Sequence, residues 1–172
     1  MRKAFIALAA IVVALLVAFI TFSQQPKYAG VSMPKDDYQH LKTSRSDIKA
    51  LISDLNKFNY KKQATMSAVE KDADKIIKNN RSNLSEADAQ SLRDALYGKN
   101  GIVTIAKAAQ TGKYNIDGSV ASRFHSAFDT IILMSVNAIN KSSAQRADIV
   151  AQMKSDLNIE QAIYQIGAKH EE

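Results

Sequence analysis

His40, His125 and His170 are the only histidines in the chain, and there is no cysteine. No two of the histidines stand three or four residues apart, so no helical turn presents a pair of imidazoles. One spacing with ligand character does occur. His125 and Asp129 are four residues apart, one turn on a helix. An imidazole and a carboxylate so placed can share a metal ion, and the same pair is also an everyday side-chain contact on a helix face. With two such groups and no third in sequence reach, no metal and no cofactor is expected. A nucleophile needs an adjacent base. The serines whose place can be read, Ser85, Ser119 and Ser142, stand where helices begin and read as caps. There is no G-x-S-x-G, no phosphate loop and no dinucleotide-binding glycine pattern. Glycan cleavage needs only two carboxylates, which a sequence can hide, and the carboxylates here are spread over helix surfaces with no distinctive constellation. The chain is therefore expected not to be an enzyme. Three Asn-x-Ser triplets, at Asn80, Asn83 and Asn140, would take glycans only in a eukaryotic secretory pathway, and chance and capping account for them as well.

The elements around these residues are helices. Both prolines, Pro26 and Pro34, precede the main body, which then runs to residue 172 without another. Its Ala, Lys, Asp, Ser, Ile and Leu favour helix, and its β-branched and aromatic density is low for strands. The expectation is an all-α protein. A chain without cysteine must hold such a domain together by packing alone.

The N-terminus reads differently. Arg2 and Lys3 are followed by residues 4–22, which carry no charge and only one polar side chain, Thr21. As a helix this run would reach about 28 Å, close to the hydrocarbon thickness of a bilayer. The positive pair on the short side places the N-terminus inside and the rest outside. A transmembrane signal-anchor helix is expected over residues 1–22, at the inner (cytoplasmic) membrane, with a periplasmic or extracellular domain. Cleavage after Ser23 would instead release a secreted protein. Residues 23–34 read as a linker and 35–172 as an extracytoplasmic helical bundle.

The formal charge of +6 is uneven. Residues 35–81 hold 11 Lys or Arg against 7 Asp or Glu, and residues 82–172 hold 9 against 10. A mild excess along one helix is a solvated face or a weak attraction to polyanions, and without a dense basic patch nucleic acid is not an expected partner.

Residues 35–80 lack Gly and Pro. Apolar residues recur at a seven-residue step through Leu41, Ile48, Leu55, Val69 and Ile76, interrupted by Lys62. The companions shift from Leu51 and Phe58 to Met66 and Ala73, the drift expected of a straight helix. This predicts a long first helix, either one rod or two helices broken near Asn56 to Tyr60. A coiled-coil seam would be poor, because Ser44, Lys62, Thr65 and Asp72 fall on it. Further helices are expected from Ser85 to Gly98, over Ile102 to Gln110, from Ser119 to about Asn140, from Ser142 past Leu157, and from Asn158 onward. The helix holding Phe124, Phe128, Ile131 and Ile132 is expected at the centre.

The layout of basic tail, hydrophobic helix and helical exterior domain looks like that of bacterial or phage inner-membrane proteins facing the periplasm. The expected role is a membrane-tethered domain that binds another envelope protein, with homo-oligomers as a further possibility. Phe58, Tyr60, Lys61 and Lys62 are the expected contact residues, because aromatic and basic side chains break the stripe there. One alternative is a small-ligand or sensor bundle with a pocket near Phe124, Phe128 and Tyr164. Another is a coiled-coil envelope spacer of spanin type, which needs the first helix to be a continuous rod.

Overall fold

The computed structural model describes residues 25–59, 61–110 and 120–170. The signal-anchor expectation rests on residues 4–22, which lie outside the described residues. Among those described, no helix is long and apolar enough to cross a membrane.

The long stripe folds back on itself. Helix α1 spans Lys35–Lys57 and α2 spans Gln63–Asn80. Asp36 and Asp37 sit in the first turn of α1 and Lys57 in its last, matching the helix dipole. The break carries neither Gly nor Pro. Phe58 leaves the helix in an extended conformation and packs against the core. Asn59 then closes the turn: its Oδ1 accepts from the Lys61 amide at 2.9 Å, and its own amide donates to Thr65 Oγ1 at 3.1 Å. Local side-chain hydrogen bonds of this kind compete with helix continuation. The stripe is therefore two helices, whereas a spanin-type coiled-coil spacer needs one continuous rod.

Cross-contacts fix α1 and α2 as an antiparallel pair. Ser44 reaches Asn80 at 3.5 Å, and Asn79 Nδ2 donates to Asp47 Oδ2 at 2.6 Å. Leu41, Ile48, Leu51 and Leu55 of α1 meet Met66, Val69, Ala73 and Ile76 of α2 in one core. Each of these side chains is at most 1% exposed. The predicted stripe is therefore an internal seam.

The second half wraps α5, which spans Val120–Asn137. Helix α3 (Glu86–Tyr97) is capped by Ser85, whose hydroxyl accepts from the Asp88 amide, and ends at Gly98. Helix α4 is Ile102–Gln110, and α6 is Ser143–Leu157, opened by a capping box between Ser142 and Gln145. Asn158, at φ 48°, ends α6 and α7 follows over Ile159–His170. Helix α5 packs on α3, α6 and α7 and also touches α1 and α4. Phe124, Phe128, Ile131 and Ile132 are interior, as expected of the central helix. Ser119, its expected cap, lies outside the described residues. His40 Nε2 lies 3.0 Å from the Ser135 carbonyl oxygen and joins α1 to α5.

The expected linker is corrected. Within residues 23–34, Lys27–Tyr28 (β1) and Val31–Ser32 (β2) form a small antiparallel hairpin. Ala29 (φ 51°) and Gly30 (φ 76°) supply the two positive φ values of a two-residue turn. Tyr28, Val31 and Met33 belong to the core, Met33 with no exposure at all. The Tyr28 hydroxyl donates to Asp156 Oδ2 at 2.8 Å, and Arg45 Nη1 reaches the same oxygen at 2.6 Å. Burial opposes ionisation of Asp156, but hydrogen bonds from Gln152, Tyr28 and Arg45 outweigh it and hold the carboxyl below the usual range. The hairpin is thus part of the bundle.

The α1–α2 interface also holds charge. Asp47 is 1% exposed and sits between Asn79 and the Lys75 ammonium, which is 2.7 Å from Oδ1. Asp72 is less well served. Its Oδ2 is enclosed with no hydrogen-bond partner. Burial first, then the Asp54 charge with a smaller push from Asp47, raises its carboxyl above the usual range, while Lys75 and Lys71 pull the other way.

Two outcomes follow for the full-length chain in mild detergent. Met33→Ala should cost about 2–5 kcal/mol in urea unfolding, as for other buried large-to-small changes; a free tether would give no change. Asp72→Asn should stabilise the fold at neutral pH by roughly a few tenths of a kcal/mol, because it removes a charge that Asp54 repels at a partly exposed site. Because the folded-state pKa of Asp72 is raised, the parent chain should lose stability as pH rises from the unfolded value through the folded one. The variant should lack that loss in a pH series of unfolding curves.

Candidate functional site

The four residues expected to bind a partner do not share one environment. Lys61 and Lys62 are exposed on the α1–α2 turn. Phe58 is half-buried against the core, which removes its ring as a free contact. Tyr60 lies outside the described residues. The turn itself is held by Asn59 and Thr65, so the two exposed lysines stand on an ordered corner.

A second surface is built on α5. In the frame set by Phe124, Phe128, Ile131 and Ser135, the helix buries one side and turns the other outward. The outward side carries Ser122, His125, Ser126, Asp129, Thr130, Leu133 and Asn137. Two adjoining grooves run along it. The first, about 770 Å³, lies between α5 and α7 and is lined by His125, Asp129, Thr130, Glu160, Ile163 and Tyr164 among others. The second, about 520 Å³, lies between α5 and α6 and is lined by Leu133, Arg146, Ala147, Val150, Ala151 and Lys154 among others. They meet at the ion pair between Asp129 Oδ1 and Lys154 Nζ, 2.6 Å apart.

The charged groups in this furrow are mutually engaged. His125 Nδ1 stands 3.4 Å from Asp129 Oδ2, and His125 Nε2 stands 3.0 Å from Glu160 Oε1. The helical pair read from the sequence is therefore real, and α7 adds a carboxylate to it. The two carboxylates sit on opposite ring nitrogens, so they do not converge with the imidazole on a common point. Among the described residues no group of three or more His, Asp or Glu is arranged to hold a metal ion. The Asp129–Lys154 pair joins α5 to α6 and the His125–Glu160 contact joins α5 to α7, at side chains that remain partly exposed.

The apolar groups are arranged otherwise. Leu133 is 43% exposed and Tyr164 is 75% exposed. Among the described residues these are the exposed large hydrophobic side chains, and both line the furrow, one on each side of the Asp129–Lys154 pair. The expected ligand pocket is corrected on the same grounds. Phe124 and Phe128 are 1% and 0% exposed and fill the core, while Tyr164 points out, so the three rings do not enclose a common space.

Sequence reasoning missed Leu133, Glu160 and Lys154. A signal existed for Leu133: it falls outside the period that buries Phe128, Ile131, Ile132 and Ser135, which marks it as an outward leucine. Glu160 lies 35 residues from His125, and nothing local links them.

No protein family, curated protein or solved structure matches this chain.

If the exposed apolar residues serve contact with another molecule, the fold does not need them. Leu133→Ser and Tyr164→Ser should each change unfolding free energy by no more than about 0.5 kcal/mol, the range of surface substitutions. Phe128→Ala, by contrast, should cost about 3–5 kcal/mol. Urea titration of the three variants checks both statements.

Proposed function

We propose that this chain is a membrane-tethered, non-enzymatic helical domain that binds another protein of the cell envelope. The tether is the uncharged run behind Arg2 and Lys3, with the N-terminus inside and the bundle on the periplasmic or outer face. Its support is the length and composition of residues 4–22 and the positive flank.

The binding surface is the furrow on α5. The observation that carries this reading is the placement of Leu133 and Tyr164, the large apolar side chains exposed among the described residues, on one groove system. The outward run from Ser122 to Asn137 covers about 22 Å of helix, enough to seat roughly four turns of an amphipathic helix. A tyrosine and a leucine supply contact area, and the engaged charges between them supply register. Lys61 and Lys62, on the ordered α1–α2 turn, act at longer range by steering an acidic partner surface.

The test is site-specific photo-crosslinking in cells. A photoreactive residue replaces Leu133, Tyr164, Lys61 or, as a control, exposed Gln39. The reading expects a discrete adduct of the same partner from positions 133 and 164 and none from 39. Adducts from none of the positions, or equal adducts from all four, contradict it. An adduct of exactly twice the chain mass identifies the partner as a second copy.

A further inference from the structure

The first described residues are fastened to the start of α1. The Pro26 carbonyl oxygen accepts a hydrogen bond from the Met33 amide at 3.1 Å. Met33 is fully buried, and α1 begins two residues later at Lys35. Tyr28 and Arg45 share the Asp156 carboxylate, which ties the hairpin to α1 and α6. The chain therefore enters the bundle at a fixed place, the N-terminal end of α1. The α1–α2 turn lies at the other end of that helix, about 35 Å away at 1.5 Å per residue.

The segment before that entry point is short. Three residues, Ser23 to Gln25, separate Phe22 from Pro26, and the four steps of a fully extended chain between them cover about 14 Å. Resting on the tethered reading above, this leaves no room for the bundle to stand clear of the lipid. We propose that the hairpin and the N-terminal end of α1 form a bilayer-contacting face, with Lys27 and Lys35 among the lipid headgroups and the Lys61–Lys62 turn directed away from the membrane.

The side chains at this end suit a zwitterionic interface. Lys27 and Lys35 are exposed, Asp36 is exposed and Asp37 is half-buried. Ammonium groups on long stems can meet lipid phosphates while their methylenes lie along less polar surface. With acidic residues beside them, the face has no strong net attraction to anionic lipid. Chain length holds it in place, so the contact forms on neutral bilayers too.

The absence of native cysteine allows a clean test. Full-length protein with a single spin-labelled cysteine at position 27, 35 or 61 (K27C, K35C, K61C) is reconstituted into phosphatidylcholine vesicles containing a lipid with a nickel-chelating headgroup. The relaxation enhancement caused by nickel is then read at each position. The proposal expects clear enhancement at 27 and 35 and its loss at 61. Equal enhancement at all three, or the largest at 61, overturns the orientation while leaving the tether in place. A twelve-residue Gly/Ser insertion between Gln24 and Gln25 should abolish the enhancement at 35 without releasing the protein. Persistence there overturns the claim that chain length makes the contact. Recovery of the uninserted protein in the supernatant after alkaline extraction is a separate result, because it removes the tethered reading on which the inference rests.

Discussion

The fastening of the hairpin to the bundle is the constraint on which the rest depends. A buried Met33, a backbone bond from its amide to Pro26 and the shared Asp156 carboxylate turn what could be a leash into a rigid entry point. The Asp156 contact is an ion pair with partial solvent access, so its own contribution to stability is modest. Its consequence is geometric: β1, α1 and α6 meet at one carboxylate. From that point the direction of α1 places the α1–α2 turn far from the entry and gives the domain a near end and a far end.

The same logic of packing against polarity governs the two halves of the bundle. The α1–α2 seam holds two aspartates, Asp47 buried and Asp72 half-buried. One of them, Asp47, is fully paired by Asn79 and Lys75, and the other, Asp72, has an acceptor with nothing to accept from. Breaking a buried pair is costly, but a buried pair is weak evidence of added stability. The seam therefore gains its strength from Leu41, Ile48, Leu51, Leu55 and their α2 partners, and its register from polar contacts such as Ser44 with Asn80. Around α5 the charges are surface groups instead. Asp129, His125, Lys154 and Glu160 link three helices at the surface, and Leu133 and Tyr164 stand exposed beside them.

Much of the helical architecture was legible in the sequence, because its signals are local. Ser85 and Ser142 cap the helices they were expected to cap, and the period through Phe124, Phe128 and Ile131 identified the central helix. The break after Lys57 was marked only as one of two options, since it depends on the reach of Thr65 back to Asn59 rather than on Gly or Pro. The hairpin was missed because two-residue strands are too short to show an alternating pattern, and Ala29 at positive φ is not a recognised turn residue. The furrow was half visible: His125 and Asp129 lie one turn apart, whereas Glu160 and Lys154 join them only through the packing of α5 on α6 and α7. Phe58 shows the opposite error, an aromatic at a break that packs inward instead of outward.

The central claim is that residues 26–33 share the stability of the bundle. Native-state hydrogen exchange of the full-length chain tests it most directly at the Met33 amide, which donates to Pro26. The account predicts that this amide exchanges only as slowly as core amides of α1, with the same dependence on added urea. Exchange at the rate of an unstructured peptide, while α1 stays protected, would contradict it.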